Sequence, residues 1–336
     1  MSDAKVYSER LGAISEAQFQ AVAERFALGR FLSAAPTTSG LFGQNVFVTT
    51  TDGEFVLRGA PHWVKSDGET EWRREDRWQF TSERWFAQQL HERTKTPVPW
   101  PIHHDQADDI FGWPYLVMPK MPGLCTDERS ILKALAPDDR RAVAVALGEN
   151  LAEMQNLTWP FAGSFSQTTI ELEPCPQGPV GMIARETRAF VRGYGDRLTK
   201  DDIAWIEGAI ANAKGDVTNT YVHCDYKFGN LTLLKESDRW RVSGLFDFHE
   251  ARFADGALDL VRSACSYLDT EPELARVFRA AYGKPLDAGR MTLYVLNDRL
   301  KIWGYFSQPG VNADWLKGKT FRGWAQRYVD RLLALL

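Results

Sequence analysis

Residues 221–230 read YVHCDYKFGN, and residues 244–262 read GLFDFHEARFADGALDLVR. Each stretch begins as an apolar, β-like run and then turns polar. The first delivers His223, Asp225 and, five residues after the aspartate, Asn230. The second delivers Asp247, set between Phe246 and Phe248 about 20 residues after Asp225. A carboxylate between two phenylalanines at a strand end is costly to bury unless it meets a cation. Polar groups that interrupt strands in this way carry more information than any other residues in the chain.

The island that holds them, Thr220 to Phe248, lies among helical patterns. Downstream, helices are expected over 256–268, 271–282, 287–305 and 312–335, and upstream over 181–194 and 200–213. Pro137 to Leu157 reads as a helix with Ala142, Val145, Leu147, Leu151 and Met154 on its apolar side, whereas 158–180 is Pro- and Gly-bearing and reads as a loop. The first third has a different texture. Residues 15–29 form an amphipathic pattern closed by Gly29. Two β-rich runs over 45–60 flank Asp52-Gly53, a hairpin signal. Ser82 to Arg93 is helical, PVPWP at 97–101 stops it, and WPYLVM at 113–118 reads as a buried strand before PKMPG breaks the chain.

Composition bounds the class. The 336 residues are 44% hydrophobic and 25% charged, which excludes collagen-like, coiled-coil and wholly disordered chains and fits two domains or one large one. Forty basic residues against 44 acidic ones give a net charge of −4, which argues against a nucleic-acid coat or a general binder of anionic membranes. Cys125, Cys175, Cys224 and Cys265 form no ligand cluster and are expected as reduced thiols. The N-terminus MSDAKVYSER has no signal-peptide pattern and no apolar run reaches a membrane span, so the expectation is a cytoplasmic protein, monomer or homodimer, with no nucleic-acid or membrane partner.

Phosphoryl transfer needs one carboxylate to accept or orient the proton of an acceptor hydroxyl, and a carboxylate and an amide to hold Mg²⁺ on a nucleotide's phosphates. Asp225 fits the first role, Asn230 and Asp247 the second. The plain alternative is a chance arrangement of turn caps. HCDYKFGN followed by FDF resembles the paired motifs of the aminoglycoside phosphotransferase/choline-kinase family, over about residue 30 to at least 262. The resemblance implies an α+β, bilobal, protein-kinase-like fold. It would place a small N-terminal α/β lobe with an antiparallel sheet at 1–118, a hinge at 119–123 and a mainly helical lobe at 124–336. It implies ATP, or GTP in its place, and Mg²⁺ as cofactors, and a small, cationic, hydroxyl-bearing acceptor. An aminoglycoside or aminocyclitol antibiotic leads, with a hygromycin-type enzyme as one form; choline, homoserine or sugar acceptors, and a pseudokinase without transfer activity, are the alternatives.

By the same resemblance Arg58 takes the place of the phosphate-pairing Lys or Arg, with Glu83 as its partner, and Arg can hold two phosphate oxygens at once. Read alone, that pair is an ordinary surface ion pair of small worth. The Thr38–Asn45 segment with Gly40 and Gly43 resembles the loop over the phosphates. The Pro119 carbonyl and Met121 amide would meet the adenine edge, with Met118 behind it. Lys227 resembles a lysine that touches the γ-phosphate. His223 and Asp259 are expected to brace the catalytic loop, His223 equally well as a core histidine. Glu250, Asp298 and Trp303 are candidate acceptor contacts, although aromatic residues at helical spacing are more often packing. Arg73, Arg74 and Arg77 read as a solvated helix face. Two departures from the family pattern stand out: Cys224 where the family has Gly after the histidine, and His249 in the third position of the Asp247 motif. That histidine and the lack of an activation segment argue against protein substrates.

Overall fold

The computed structural model describes the chain except for residues 1–3, 9, 38–43, 60–63, 67–68, 72–77, 126, 309 and 312. The N-terminal part is sheet-rich. A hairpin, β1 (Lys5–Ser8) and β2 (Gly12–Ile14), leads into α1 (Glu16–Arg25). Ser15 caps that helix in a reciprocal capping box with Gln18. A five-stranded antiparallel sheet follows, built from β3 (Phe31–Pro36), β4 (Asn45–Thr50), β5 (Gly53–Gly59), β8 (His103–Asp105) and β9 (Tyr115–Pro119) in the order β3-β4-β5-β9-β8. The short pair β6 (Val64–Ser66) and β7 (Glu69–Glu71) lies between β5 and α2 (Trp78–Arg93).

Strand alternation gives the sheet two different faces. Val46, Val48, Leu57, Tyr115 and Val117 pack with Phe19 and Val22 of α1. Val56, Leu116 and Met118 face the larger core, which also takes Phe80, Phe86 and Leu90 from α2. Arg58 follows Leu57 on β5, so it faces the second side, toward α2 and the rest of the molecule. The sheet thereby presents one cation to the interior through a simple period-two pattern.

The C-terminal part is helical: α3 (Glu128–Ala134), α4 (Pro137–Met154), α5 (Gly178–Tyr194), α6 (Lys200–Asn212), α7 (Ala257–Thr270), α8 (Pro272–Tyr282), α9 (Ala288–Phe306) and α10 (Phe321–Leu333). Two small antiparallel sheets are set among these helices. One has the order β11-β10-β15-β12, from β10 (Gly163–Phe165), β11 (Leu172–Pro174), β12 (Thr220–Val222) and β15 (Arg252–Ala254); the other is the ribbon β13 (Leu231–Glu236) with β14 (Arg239–Leu245). The α+β composition, sheet-rich first and helical after, is the one expected from the sequence. No helix among the described residues is long and apolar enough to cross a membrane, and the four cysteines are free thiols.

Three readings are corrected. The helix expected over 312–335 is a 3₁₀ turn at Asp314–Leu316 and then α10, because Gly318 takes φ +72° and Thr320 caps a new helix. The loop expected over 158–180 contains β10 and β11, which pair with each other, and β10 also pairs with β15, some 90 residues away. The strand expected to end at Asp247 stops at Leu245; Asp247 lies beyond it in the left-handed region at φ +73°, which Asp tolerates better than most residues.

Candidate functional site

The β12 strand runs into the centre of the molecule and ends at Val222, where Asp259 takes over the hydrogen bonding. Its carboxylate accepts from the backbone N–H of His223 (2.6 Å) and of Cys224 (2.7 Å). The His223 ring closes the next link. Its Nδ1 accepts from the Asp225 N–H (3.3 Å), so its Nε2 carries the hydrogen and donates to the Phe246 carbonyl (3.0 Å). Burial pushes the His223 pKa down, which agrees with this neutral tautomer. His223 therefore ties the loop bearing Asp225 to the chain just before Asp247.

Cys224 sits at φ +69°. Glycine adopts that conformation freely, whereas an L-residue is disfavoured there by roughly 1–2 kcal/mol. Small size alone does not account for a cysteine here; Asp259 holds the strained peptide in place. Burial pushes the Cys224 thiol up to about 12.

Asp225 is the most connected carboxylate of the site. Lys227 Nζ lies 2.6 Å from its Oδ2, Arg262 Nε donates to its Oδ1 at 3.2 Å, and Asn230 Nδ2 donates to Oδ2 and to the Asp225 backbone carbonyl, both at 2.9 Å. Burial pushes its pKa up, but Lys227 and Arg262 outweigh burial and hold it below the ordinary range. Arg262 was not anticipated as a site residue. It stands three residues after Asp259 on α7, so once Asp259 was expected under the loop, helical geometry put Arg262 on the same face.

Across the cleft, Arg58 lies between two carboxylates. Its Nη2 donates to Asp247 Oδ1 at 2.9 Å, and its Nε lies 3.3 Å from Glu83 Oε2, which is 1% exposed. This is not a surface pair. Asp247 Oδ1 also meets His249 Nδ1 at 2.8 Å. Burial opposes ionisation of Asp247, and Arg58 and His249 more than reverse that, so its pKa lies far below the usual carboxylate range. Both contacts fall on Oδ1, and Oδ2 has no partner among the described residues.

The donor set suits a hard cation. Asn230 spends its amide N–H groups on Asp225, which leaves its Oδ1 available, and Asp247 keeps Oδ2. Among the described residues no group of three or more His, Cys, Asp and Glu side chains could hold a metal alone. A metal here would complete its coordination with water and phosphate oxygens, as Mg²⁺ does.

Met118 and Pro119 end β9, and Met121 lies two residues beyond the strand. Lys120 N–H donates to the Glu54 carbonyl (2.9 Å), so by the antiparallel alternation Phe55–Pro119 is a pair without ladder bonds, and the Pro119 carbonyl points away from β5. Met118 is buried, and Met121 packs on Gly244 of β14, where a Cβ would come within 2.5 Å of the Met121 Cβ. Gly40, Gly43 and the arginines at 73, 74 and 77 lie outside the described residues.

Two candidate acceptor contacts are corrected. Trp303 is 4% exposed, donates its Nε1–H to the Arg197 carbonyl (3.2 Å) and packs against Phe321 and Trp324; it is part of the core. Asp298 is buried and already doubly paired, to Arg262 Nη1 at 3.2 Å and Arg299 Nε at 3.0 Å, so it cannot serve as a free carboxylate for an ammonium. Its place is in a line of charges, Asp225–Arg262–Asp298–Arg299, running from the loop that bears Asp225 into α9. Glu250 is exposed and borders a cavity of about 510 Å³ that also touches His249, Glu186, Arg252 and Lys301. A second depression, between α6 and α10, touches none of these residues.

Comparison with known proteins bears on the fold and the family. Among solved structures, the GDP complex of aminoglycoside 2'-phosphotransferase-IIIa superposes with a TM-score of 0.60 at 14% identity, over 95% of this chain and 98% of that one. Macrolide 2'-phosphotransferase MphH from Brachybacterium faecium gives 0.58 at 16% identity, over 86% and 90%. A thermostable mutant of aminoglycoside phosphotransferase APH(4)-Ia, in ternary complex with ADP and hygromycin B, gives 0.54 at 15% identity, over 94% and 97%. At such identities the likeness is one of fold. No curated protein sequence matches the chain. The phosphotransferase enzyme family matches residues 33–294, a span that takes in Arg58, Glu83 and the whole Asp225–Asp247 constellation, and the chain belongs to that family.

Proposed function

We propose that the protein transfers the γ-phosphoryl group of ATP, or of GTP in its place, to a hydroxyl group of a small molecule, with Mg²⁺ as the metal. The observation that supports this most is the convergence of Asp225, Asn230 and Asp247 at one cleft, with Arg58 opposite. Residues 1–118 would form the nucleotide-binding lobe, 119–123 the hinge and 124–336 the lobe that carries Asp225 and the acceptor. The acceptors named for the structural neighbours, kanamycin and hygromycin B among them, make antibiotics the first class to assay by analogy of fold.

In this reading Asp225, ionised and oriented by Arg262 and Asn230, accepts the hydrogen bond of the acceptor hydroxyl and aims its oxygen. The acceptor oxygen forms its bond to the γ-phosphorus as the bond to the ADP oxygen breaks; ADP leaves with that electron pair, and the hydroxyl proton passes to Asp225 and on to solvent. Lys227, beside Asp225, supplies a positive charge where the transferring group becomes negative. Asn230 Oδ1 and Asp247 Oδ2 would hold Mg²⁺, which when bound neutralises phosphate charge. Arg58 would exchange its bond to Asp247 for phosphate oxygens, with Glu83 keeping it extended. Pro119 and Met121 would offer their carbonyl and amide to the base, with Met118 behind it.

The test is nucleotide binding by calorimetry with and without Mg²⁺. Asp247→Ala should abolish the Mg²⁺-dependent part of ATP affinity. Retention of that dependence in the variant would remove Asp247 as a ligand.

A further inference from the structure

From the cavity beside His249 we infer that the acceptor is a ring-bearing, largely apolar alcohol carrying at most one charge, and not a polycation; this rests on the phosphotransferase reading above and narrows its acceptor class. The cavity's position and its lining carry the inference.

Its position puts it at the chemistry. His249 lines it and bonds Asp247 at 2.8 Å. Arg252 and Lys301, two more of its lining residues, lie close enough to Cys224, the neighbour of Asp225, to influence that thiol. At about 510 Å³ it suits a molecule of drug size.

Among the described residues, each carboxylate of the lining has a cation within 4 Å. Glu186 meets Arg252 Nη1 at 2.8 Å and Lys301 Nζ at 3.3 Å, and Glu250 meets the same ammonium at 3.8 Å. Two carboxylates face two cations, and His249 is already engaged with Asp247. The nearest further carboxylate on α9, Asp298, is held by Arg262 and Arg299. A molecule with several ammonium groups would have to displace protein cations from Glu186 and Glu250 or enter with its own charges unmatched, and both cost desolvation without new pairing.

Apart from Ser164 and Ala251, the remaining wall is aromatic. Trp78, Phe165, Phe190 and Tyr194 line the cavity, the last two nearly parallel with ring centroids 5.9 Å apart. Gly304 of α9 makes room for the Tyr194 ring, because a side chain there would overlap its hydroxyl end. Tyr305, 61% exposed, follows Lys301 by four residues and so extends the same face of α9. Flat rings beside two carboxylates and two cations that already pair with one another suit an apolar ring body oriented by one or two polar groups.

The test uses the full chain and two probes: N-phenyl-1-naphthylamine, a neutral ring compound read by its fluorescence, and kanamycin, a polycation. The expected result is saturable binding of the naphthylamine that weakens about tenfold in Phe190→Ala, with circular dichroism confirming the variant's fold. Kanamycin should neither displace the probe nor drive ADP release from Mg·ATP in the unaltered protein. Lys301→Ala, which takes the ammonium from Glu250 and leaves Glu186 to Arg252 alone, should let kanamycin compete. Kanamycin competition or kanamycin-driven ADP release in the unaltered protein would overturn the inference, as would probe binding indifferent to Phe190→Ala. Failure of the protein to bind Mg·ATP would instead sink the phosphotransferase reading and leave the pocket result standing by itself.

Discussion

Replacing Asp298 by Asn separates two roles for that residue. As a free acceptor contact it would affect only the binding of substrate. In the structure it is the shared anion between Arg262 and Arg299, with side-chain exposures of 9% for Asp298 and 7% for Arg299. Asparagine keeps the shape and removes the charge. Among the described residues, Arg299 then keeps no anionic partner, only the amide oxygen and two rings, Tyr328 at 4.5 Å and Trp324 at 5.8 Å. Removing one partner of a buried pair costs about 3–5 kcal/mol. With an unfolding entropy of roughly 2.1 cal/mol/K per residue, the 336-residue chain changes by about 0.7 kcal/mol per degree, so the midpoint should fall by about 4–7 °C. The assay is differential scanning calorimetry without nucleotide, at low salt and at 1 M NaCl. The loss should persist in high salt, because buried pairs are screened little. A fall of less than a degree, or one that disappears in salt, would refute the relay.

Two further predictions rest on the same loop. Asp259→Ala leaves the buried N–H groups of His223 and Cys224 without an acceptor, at about 1–3 kcal/mol each, and releases the positive-φ peptide before Asp225; calorimetry should show a drop of several degrees, and a drop no larger than that of an exposed Asp→Ala control would contradict it. His249→Gln tests the His249–Asp247 pair through pH. Burial alone would lower the His249 pKa, but the bond to Asp247 raises it above the ordinary value. The stability it adds is therefore complete below about pH 6.5, the unfolded value, and is lost as pH rises through the higher folded value. Midpoints of the unaltered protein should converge on those of the variant as pH rises past that folded value; a constant gap from pH 6 to 9 would show that the histidine contributes no charge.

Much of the architecture was legible because it is local. The Asp52-Gly53 punctuation marked the β4–β5 hairpin, and Pro137 and the apolar spacing after it marked α4. The site's centre was legible for a related reason: Asp225, Lys227 and Asn230 lie within six residues of one another. What the sequence concealed was pairing at a distance. β10 and β11 are three residues each and carry Gly and Pro, so nothing nearby announces strands that join the sheet through the β10–β15 pair. Asp298 looked available because Arg262, one of the two arginines that hold it, is 36 residues away in the chain. Trp303 carried the same ambiguity as every aromatic on an amphipathic helix, and only burial resolves it. The cavity wall takes Glu186 from α5, Arg252 from β15 and Lys301 from α9, three elements no local pattern would bring together.

The central claim is that Asp225 orients an acceptor hydroxyl for phosphoryl transfer. The most direct measurement is ADP release by the purified protein with Mg·ATP across a panel of hydroxyl acceptors, run beside Asp225→Asn. The account predicts acceptor-dependent release that falls by several orders of magnitude in the variant, while calorimetry gives the same ATP affinity for both proteins. Equal turnover in the two proteins would contradict it.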